Sequence, residues 1–275
     1  MPYKDILLHL SDDGRVEEKA RFAADLAAQF SASLTAAYTL TPLQPLPYGM
    51  EYIPAEYYQQ HIEEARAAAD GAKAVAEREA SRAGIPIRWI ASEQRALDIL
   101  PLLGRSCDLV IAGQPHPENS DLDRGVGVPL GALTLAMGRP VLGIPYTGQY
   151  PTRPRTVVIA WNGSREAARA AHDALPLLQP AKSVVILNIN PSADAAATGA
   201  ALAVNLDHHG VSARVKQVSV ADIEEGEVLL STLADEGAEL LVMGIYGHSR
   251  VKEMILGGVS ETVLDSMTLP VLMSS

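Results

Sequence analysis

The sequence predicts an α/β protein of two tandem doubly wound domains, each a five-stranded, mostly parallel sheet between helices. Three observations carry that expectation: one plan is written twice, the strand-like runs are almost continuously apolar, and they alternate with alanine-rich helical stretches. "DILLHLSDDGRVEEKARFAADLA" from Asp5 and "TVVIAWNGSREAARAAHDALPLL" from Thr156 share the order apolar run, polar cluster, helical period. "CDLVIAG" (107–113) parallels "AELLVMG" (238–244), and "GRPVLGIPY" (138–146) parallels "TLPVLMS" (268–274). The offset between copies is 157 − 6 = 151 at the start but 244 − 113 = 131 later, so the first copy holds about twenty extra residues. "TPLQPLPYGMEYIPAEYYQQ" (41–60) is the natural insert, and the Pro- and Gly-rich "PYTGQYPTRPR" (145–155) is the joint. The expected domains are therefore 1–146 and 153–275.

Along the first copy, a long helix is expected near 55–83, where charges at helical spacing solvate one face. In the second copy, strands are expected at "TVVIAW", "SVVILNIN", "ARVKQVSV", "ELLVMGI" and "PVLMS", with helices over 164–176, 194–209, 223–236 and 258–267. Strands that do not alternate must be covered on both faces, which requires a parallel sheet between helix layers and right-handed crossovers. "PVLGIPY" and "PVLMSS" read as edge strands in need of a partner, met by the sibling domain or by a second copy of the chain.

Composition narrows the function classes. Of 275 residues, 48% are hydrophobic and 20% charged, which suits a folded globular chain. A net charge of −11 argues against nucleic acid or anionic membrane as a partner, since phosphate-binding surfaces need clustered Lys and Arg. The lone cysteine, Cys107, heads an apolar run and is expected to be a buried, inert thiol. "MPYKDILLHLSDDG" is too short and too acid-flanked for a signal peptide, and no run approaches a membrane span, so a cytoplasmic protein is expected.

The stretch "LLVMGIYGHSRVKEMILGGVSETVL" (240–264) spends Gly244, Gly247, Gly257 and Gly258 on one connection. Gly244 falls at a strand end, where open parallel sheets bind ligands, and glycine lets a ligand approach the main chain. The residues after Gly257 begin the last predicted helix, whose unbonded N–H groups favour an anion. The plainer alternative is two tight turns and a close helix–sheet contact.

Gly-x2-Gly-x9-Gly after an apolar strand ending in Met243, followed by "VSETVL", resembles the universal stress protein family, which has a tandem-domain branch of this length. The "WNGS" at Trp161–Ser164 stands where that family's first-strand Asp-x-Ser motif falls, and the resemblance spans nearly the whole chain apart from the insert. It implies an adenine nucleotide alpha hydrolase-like fold, with adenine near Ala160, Trp161, Asn162 and Ile189. It also implies a triphosphate on Met243, Gly244, Gly247, Gly257, Gly258 and Val259, with the Ser260 hydroxyl in reach. Two departures stand out: the hydroxyl residue after the third glycine is Gly258, and the strand-one acid is Asn162. One missing neutral hydrogen bond costs roughly 0.5–1.5 kcal/mol, which weakens such a site without abolishing it.

In the first copy the matching stretch after Gly113 is "QPHPENSDLDRGVGVPLGAL", with His116 in place of the second glycine and Glu118, Asp121 and Asp123 adding negative charge. That half is expected not to bind ATP. Tyr48, Tyr52, Tyr57 and Tyr58 of the insert are expected to pack. His248, Arg250 and Lys252 within the glycine loop are candidates to neutralise phosphates, and Tyr246 to cover the ligand. Adjacent His208 and His209 point about 100° apart on a helix and suit its C-terminus better than a metal. Asp12 and Asp13 suit N-capping of the first helix. No nucleophile–base–orienter set and no metal site is evident. The leading expectation is an ATP-responsive (or AMP- or ADP-responsive) regulatory module, with Mg accompanying the nucleotide, that orders loop 245–256 for an unknown protein partner. At most it is a weak ATPase. The alternatives are a scaffold of the same fold with no nucleotide, and an adenylyl-transferring or ATP-hydrolysing enzyme.

Overall fold

A computed structural model describes residues 2–40, 55–116, 127–191, 193–245 and 258–275. The chain divides into two compact units, Tyr3–Leu133 and Thr134–Ser275, the latter with the extreme N-terminus.

In the first unit, β1 (Asp5–Leu10), β2 (Ser33–Thr39), β3 (Ile87–Ser92) and β4 (Leu109–Gly113) form a parallel sheet in the order β3-β2-β1-β4. Helices α1 (Val16–Phe30), α2 (Ala55–Ala83) and α3 (Ala96–Gly104) make the crossovers. β1 explains the order: Ile6, Leu7, Leu8 and Leu10 are all buried, as a strand must be when helices cover both faces. The long helix expected near 55–83 is α2. Its Ala69, Ala72, Ala76 and Ala80 form a buried stripe, and α2 lies against α1. Alanine at i, i+3, i+4 spacing is what lets two helices approach closely. At one end of that seam Glu79 is buried and accepts hydrogen bonds from Arg82 (2.8 Å), Arg21 (3.3 Å) and Arg78 (3.3 Å).

Helix α4 (Leu130–Met137) spans the division between units. The second unit holds β5 (Val141–Ile144), β6 (Thr156–Ala160), β7 (Ser183–Ile189), β8 (Ala213–Val218), β9 (Leu240–Gly244) and β10 (Val271–Ser274). α5 (Arg165–Asp173), α6 (Leu175–Leu178), α7 (Ala193–His208), α8 (Glu225–Asp235) and α9 (Gly258–Ser266) alternate with the later strands. The ladders β8-β7-β6-β9-β10 are parallel, repeating the first unit's plan. β10 then pairs antiparallel with β5, Leu272 opposite Leu142. The two segments expected to need partners thus partner each other.

Three differences from expectation have local causes. The helix expected over 164–176 breaks at Ala174 into α5 and α6, because Pro176 lacks the N–H that would continue it. The strand expected over 183–190 stops at Ile189, because Asn190 adopts φ +44°. Asn is one of the few non-glycine residues that tolerates that region. The strand expected over 213–220 stops at Val218, and this edge strand, β8, exposes Arg214 and Gln217 and pairs Arg214 and Lys216 with Glu236, a charged edge that discourages further strand addition.

Candidate functional site

In the second unit the chain runs from β6 outward through β7 to β8, then returns to the other side of β6 for β9 and β10. The order therefore reverses between β6 and β9, and the carboxyl ends of those strands are where such sheets receive ligands. Ala160 and Met243 are register partners there, with Gly244 one residue beyond. On the other flank, the Trp161 N–H donates to Leu187 O at 2.8 Å, carrying the ladder one residue past β6 and bringing Trp161 alongside the end of β7. Ala160, Trp161, Asn162, Ile189, Met243 and Gly244 thus share one end of the sheet. Gly247, His248 and Gly257, with Tyr246, Arg250 and Lys252, lie outside the described residues.

The side chains differ in what they offer. Met243 is buried in the core. Trp161 is only 9% exposed, and its Nε1 donates to Thr198 of α7 at 3.2 Å, so its ring is packed within the unit. Buried Asn188 holds the same corner, its Nδ2 donating to Trp161 O at 3.0 Å. Asn162 is exposed, and its Oδ1 accepts from the Ser164 N–H at 3.0 Å in a local turn. Ser164 then caps α5, its Oγ accepting from the Ala167 N–H at 3.2 Å. "WNGS" is therefore a turn followed by a helix cap.

Gly244 is occupied by packing. A Cβ there would fall well inside contact distance of the Ala167 nitrogen and 2.8 Å from the Glu166 oxygen. The absent side chain admits the first turn of α5, so on that face no ligand approaches the main chain, and the close helix–strand reading of this glycine is correct. At the start of α9, Gly258 is exposed and Val259 half-buried, while Ser260 is buried. Among the described residues, a Cβ on Gly258 would meet only Glu224 Oε2, at 4.0 Å.

Sequence reasoning passed over three residues near this end. Asn190 accepts from the Val220 N–H at 2.9 Å and donates to Glu225 at 3.3 Å, tying the ends of β7 and β8 to the start of α8. Gly226 in α8 packs on Thr262 of α9 so closely that a Cβ would lie 2.7 Å from the threonine Cβ. Glu224 sits just before it. The only sequence signals were an Asn–Pro pair after a strand and a glycine in a helix's first turn.

In the first unit the corresponding crevice, between β1 and β4, is filled by a polar cluster. Lys19 of α1 is only 2% exposed and forms an ion pair with Asp13. Asp13 also accepts from the Ser11 hydroxyl at 3.2 Å and from the Arg15 N–H at 3.0 Å. α1 itself starts with Arg15 at its cap and no side-chain capping bond, so Asp13 is the ion-pair partner of Lys19 and not the expected N-cap. Burial alone would raise the Asp13 carboxyl, but the charge and hydrogen bond of Lys19 and the Arg15 amide outweigh it and hold it below its ordinary value. His9, buried on β1 and hydrogen-bonded to Thr39 Oγ1 at 2.9 Å, is pushed down to about 3, first by burial and then by the Lys19 charge. Gly113, the counterpart of Gly244, faces the Lys19 stem, Cδ lying 3.0 Å from its Cβ position. His116 is described, whereas Glu118, Asp121, Asp123 and residues 41–54 of the insert lie outside the described residues.

Among the described residues, no group of three or more His, Cys, Asp or Glu is placed to hold a metal ion, and no helix is long and apolar enough to cross a membrane. Cys107 is buried, its Sγ 3.5 Å from Leu103 O.

A doubly wound unit with its strand ends gathered at a switch point is an open parallel α/β fold, and comparison with known proteins makes the family specific. Residues 154–275 match the Universal stress protein family, so the second half of the chain is a universal stress protein domain. A universal stress protein of Methanocaldococcus jannaschii is 36% identical over 62 residues, 22% of this chain and 38% of that relative's length. Over the whole chain the fold is that of a solved universal stress protein from Archaeoglobus fulgidus, with a TM-score of 0.72 at 16% identity, covering 98% of this chain and 96% of that one. A functionally unknown protein from Pseudomonas aeruginosa is similar as well, with a TM-score of 0.58 at 15% identity, covering 99% and 92%.

Proposed function

We propose that the chain is a tandem universal-stress-type regulatory module whose second half binds an adenine nucleotide, with little or no catalysis. The observation that carries this reading is the placement of Ala160, Asn162, Ile189 and Met243 at the carboxyl end of the sheet, with Ala160 and Met243 paired at the switch point. In the same unit, the exposed Gly258 opens α9 with no side chain of its own. The adenine and ribose would lie over the ends of β6 and β7, where Asn162 is exposed and Ala160 and Ile189 are half-buried. The phosphates would reach toward the first amides of α9. Any Mg would arrive on those phosphates.

The first unit takes no nucleotide in this reading, because Lys19 and Asp13 fill its crevice. The protein partner would sense loop 245–256 when a ligand is bound, and the setting would be cytoplasmic. A second reading, a scaffold of the same fold without nucleotide, is favoured by one observation: Gly244 is already used by α5.

Titration calorimetry with AMP, ADP and ATP decides between them. Binding to the full chain is expected to be lost in Gly258→Val while thermal unfolding is unchanged, since among the described residues only Glu224 comes as near as 4.0 Å to the new Cβ. Absence of heat with all three nucleotides, with no nucleotide released on heat denaturation, rejects the nucleotide reading in favour of the scaffold.

A further inference from the structure

We infer that Asn162 and Gly163 form a self-modifying site, where the chain itself converts the Asn162 amide to a carboxylate and adds a negative charge beside the end of β6. The inference stands apart from the nucleotide reading. Asn162 is the only asparagine in the sequence followed by glycine. Both residues are exposed, and Gly163 adopts φ +77°. With no Cβ on residue 163, nothing of its own shields the main-chain nitrogen that follows Asn162. That N–H donates to no described residue, so attack by the nitrogen breaks no hydrogen bond to them. The Asn162 Oδ1 accepts from the Ser164 N–H at 3.0 Å, closing a ring of atoms that contains the Gly163 nitrogen. The same hydrogen bond polarises the Cγ carbonyl and is in place for the negative charge that gathers on Oδ1 as the nitrogen adds.

The ring is anchored on both sides. The Trp161 N–H donates to Leu187 O at 2.8 Å, and Trp161 O accepts from Asn188 Nδ2 at 3.0 Å. Ser164 caps α5 through the Ala167 N–H at 3.2 Å, and the first turn of α5 is packed on Gly244. The other described asparagines lack this setting. Asn188 is buried, and Asn190 precedes Pro191, whose nitrogen has no proton to give up. Asn205 lies inside α7, where main-chain N–H groups are bonded along the helix.

In the step itself, the Gly163 nitrogen gives its proton to hydroxide and attacks Asn162 Cγ. The N–Cγ bond forms, the Cγ–Nδ2 bond breaks, and ammonia leaves with a proton from water, giving a cyclic imide. Water then opens the imide, so that amide and water become carboxylate and ammonium with no oxidation or reduction. Opening at Cγ restores the ordinary main chain with an aspartate side chain. Opening at the main-chain carbonyl instead lengthens the backbone by a methylene between Trp161 and Ser164, both of which are anchored, so the fold favours aspartate. A carboxylate suits the place: it faces the positive end of α5, and its bond from the Ser164 N–H becomes charge-assisted.

The experiment is peptide mapping by mass spectrometry of the full chain, held folded in mildly alkaline buffer, beside a synthetic peptide of residues 156–165. The chain is expected to gain at Asn162 the mass difference between NH2 and OH, about threefold faster than the peptide, the worth of one hydrogen bond. Its ratio of aspartate to isoaspartate is expected to exceed that of the peptide. Asn162→Gln should remove the mass gain, and Asn162→Asp, which carries the product charge from the start, should unfold at no lower temperature than wild type. No mass gain at Asn162, conversion slower than in the peptide, or a product ratio no higher than the peptide's overturns the inference. Earlier unfolding of Asn162→Asp does so too, because the fold would then resist the charge.

Discussion

The crevice between β1 and β4 and the crevice between β6 and β9 come from one plan and are filled by different means. Each switch strand ends on a glycine, Gly113 or Gly244. At Gly244 the space is taken by main chain, the first turn of α5. At Gly113 it is taken by the Lys19 side chain, with Asp13 behind it. The helix start accounts for this: five residues separate Leu10 from Val16, but only four separate Ala160 from Arg165. The later start keeps the backbone of α1 back, and a long side chain reaches into the gap. Because lysine brings charge into a buried place, an acid must accompany it. A repeated fold therefore does not imply a repeated site.

The comparison can be broken first at the glycines. Gly244→Val should cost more than about 3 kcal/mol in denaturant unfolding, because neither strand nor helix backbone can retreat. Gly113→Ala should cost only about 1 kcal/mol, since a flexible lysine stem yields. Equal losses would mean the two spaces are not filled as described. Next in size is Lys19→Met, which leaves Asp13 largely buried without its cation and should cost about 3 kcal/mol. Adding Asp13→Asn should recover at least half, and failure to do so would show that Lys19 acts through packing alone.

Acid sensitivity sharpens the contrast. His9 has a folded value of about 3 against an ordinary 6.5, so below 6.5 the unfolded chain takes up a proton that the folded chain refuses. Stability should fall by about 1.4 kcal/mol per pH unit from there until pH approaches the folded value. Asp13, also lowered, contributes stability above its ordinary value of 3.8 that is lost as pH falls further. His9→Gln should reduce the slope between pH 4 and 6 by about one proton, and an unchanged slope would exclude a neutral, buried imidazole. The smallest effect belongs to Asp12→Asn, expected within about 0.5 kcal/mol, because Asp12 is exposed and pairs with no described residue.

Much of the fold was legible. The duplicated pattern, the strand alternation and the 29-residue α2 follow from apolar periodicity, which is a local property of the chain. The ends of elements were less legible. Asn190 and Pro176 decide them, and each acts through its own backbone preference against a favourable pattern on both sides. Among the candidate site residues, the positions of Ala160, Met243 and Gly258 were readable from motif spacing, whereas the burial of Trp161 and Ser260 was not. Asp12 and Asp13 look alike in sequence. Only Asp13 meets Lys19, six residues on, and only because the helix between them starts late.

By itself, the sequence determined what repeats, where buried strands lie and which glycines close strands, because hydrophobic period and backbone freedom are written residue by residue. Only the tertiary structure decided what occupies the space those glycines leave. It chose the α5 backbone in one unit and a lysine in the other, and it brought Glu224 to the mouth of α9. Such encounters depend on where separate elements come to rest when packed, and no local pattern encodes that.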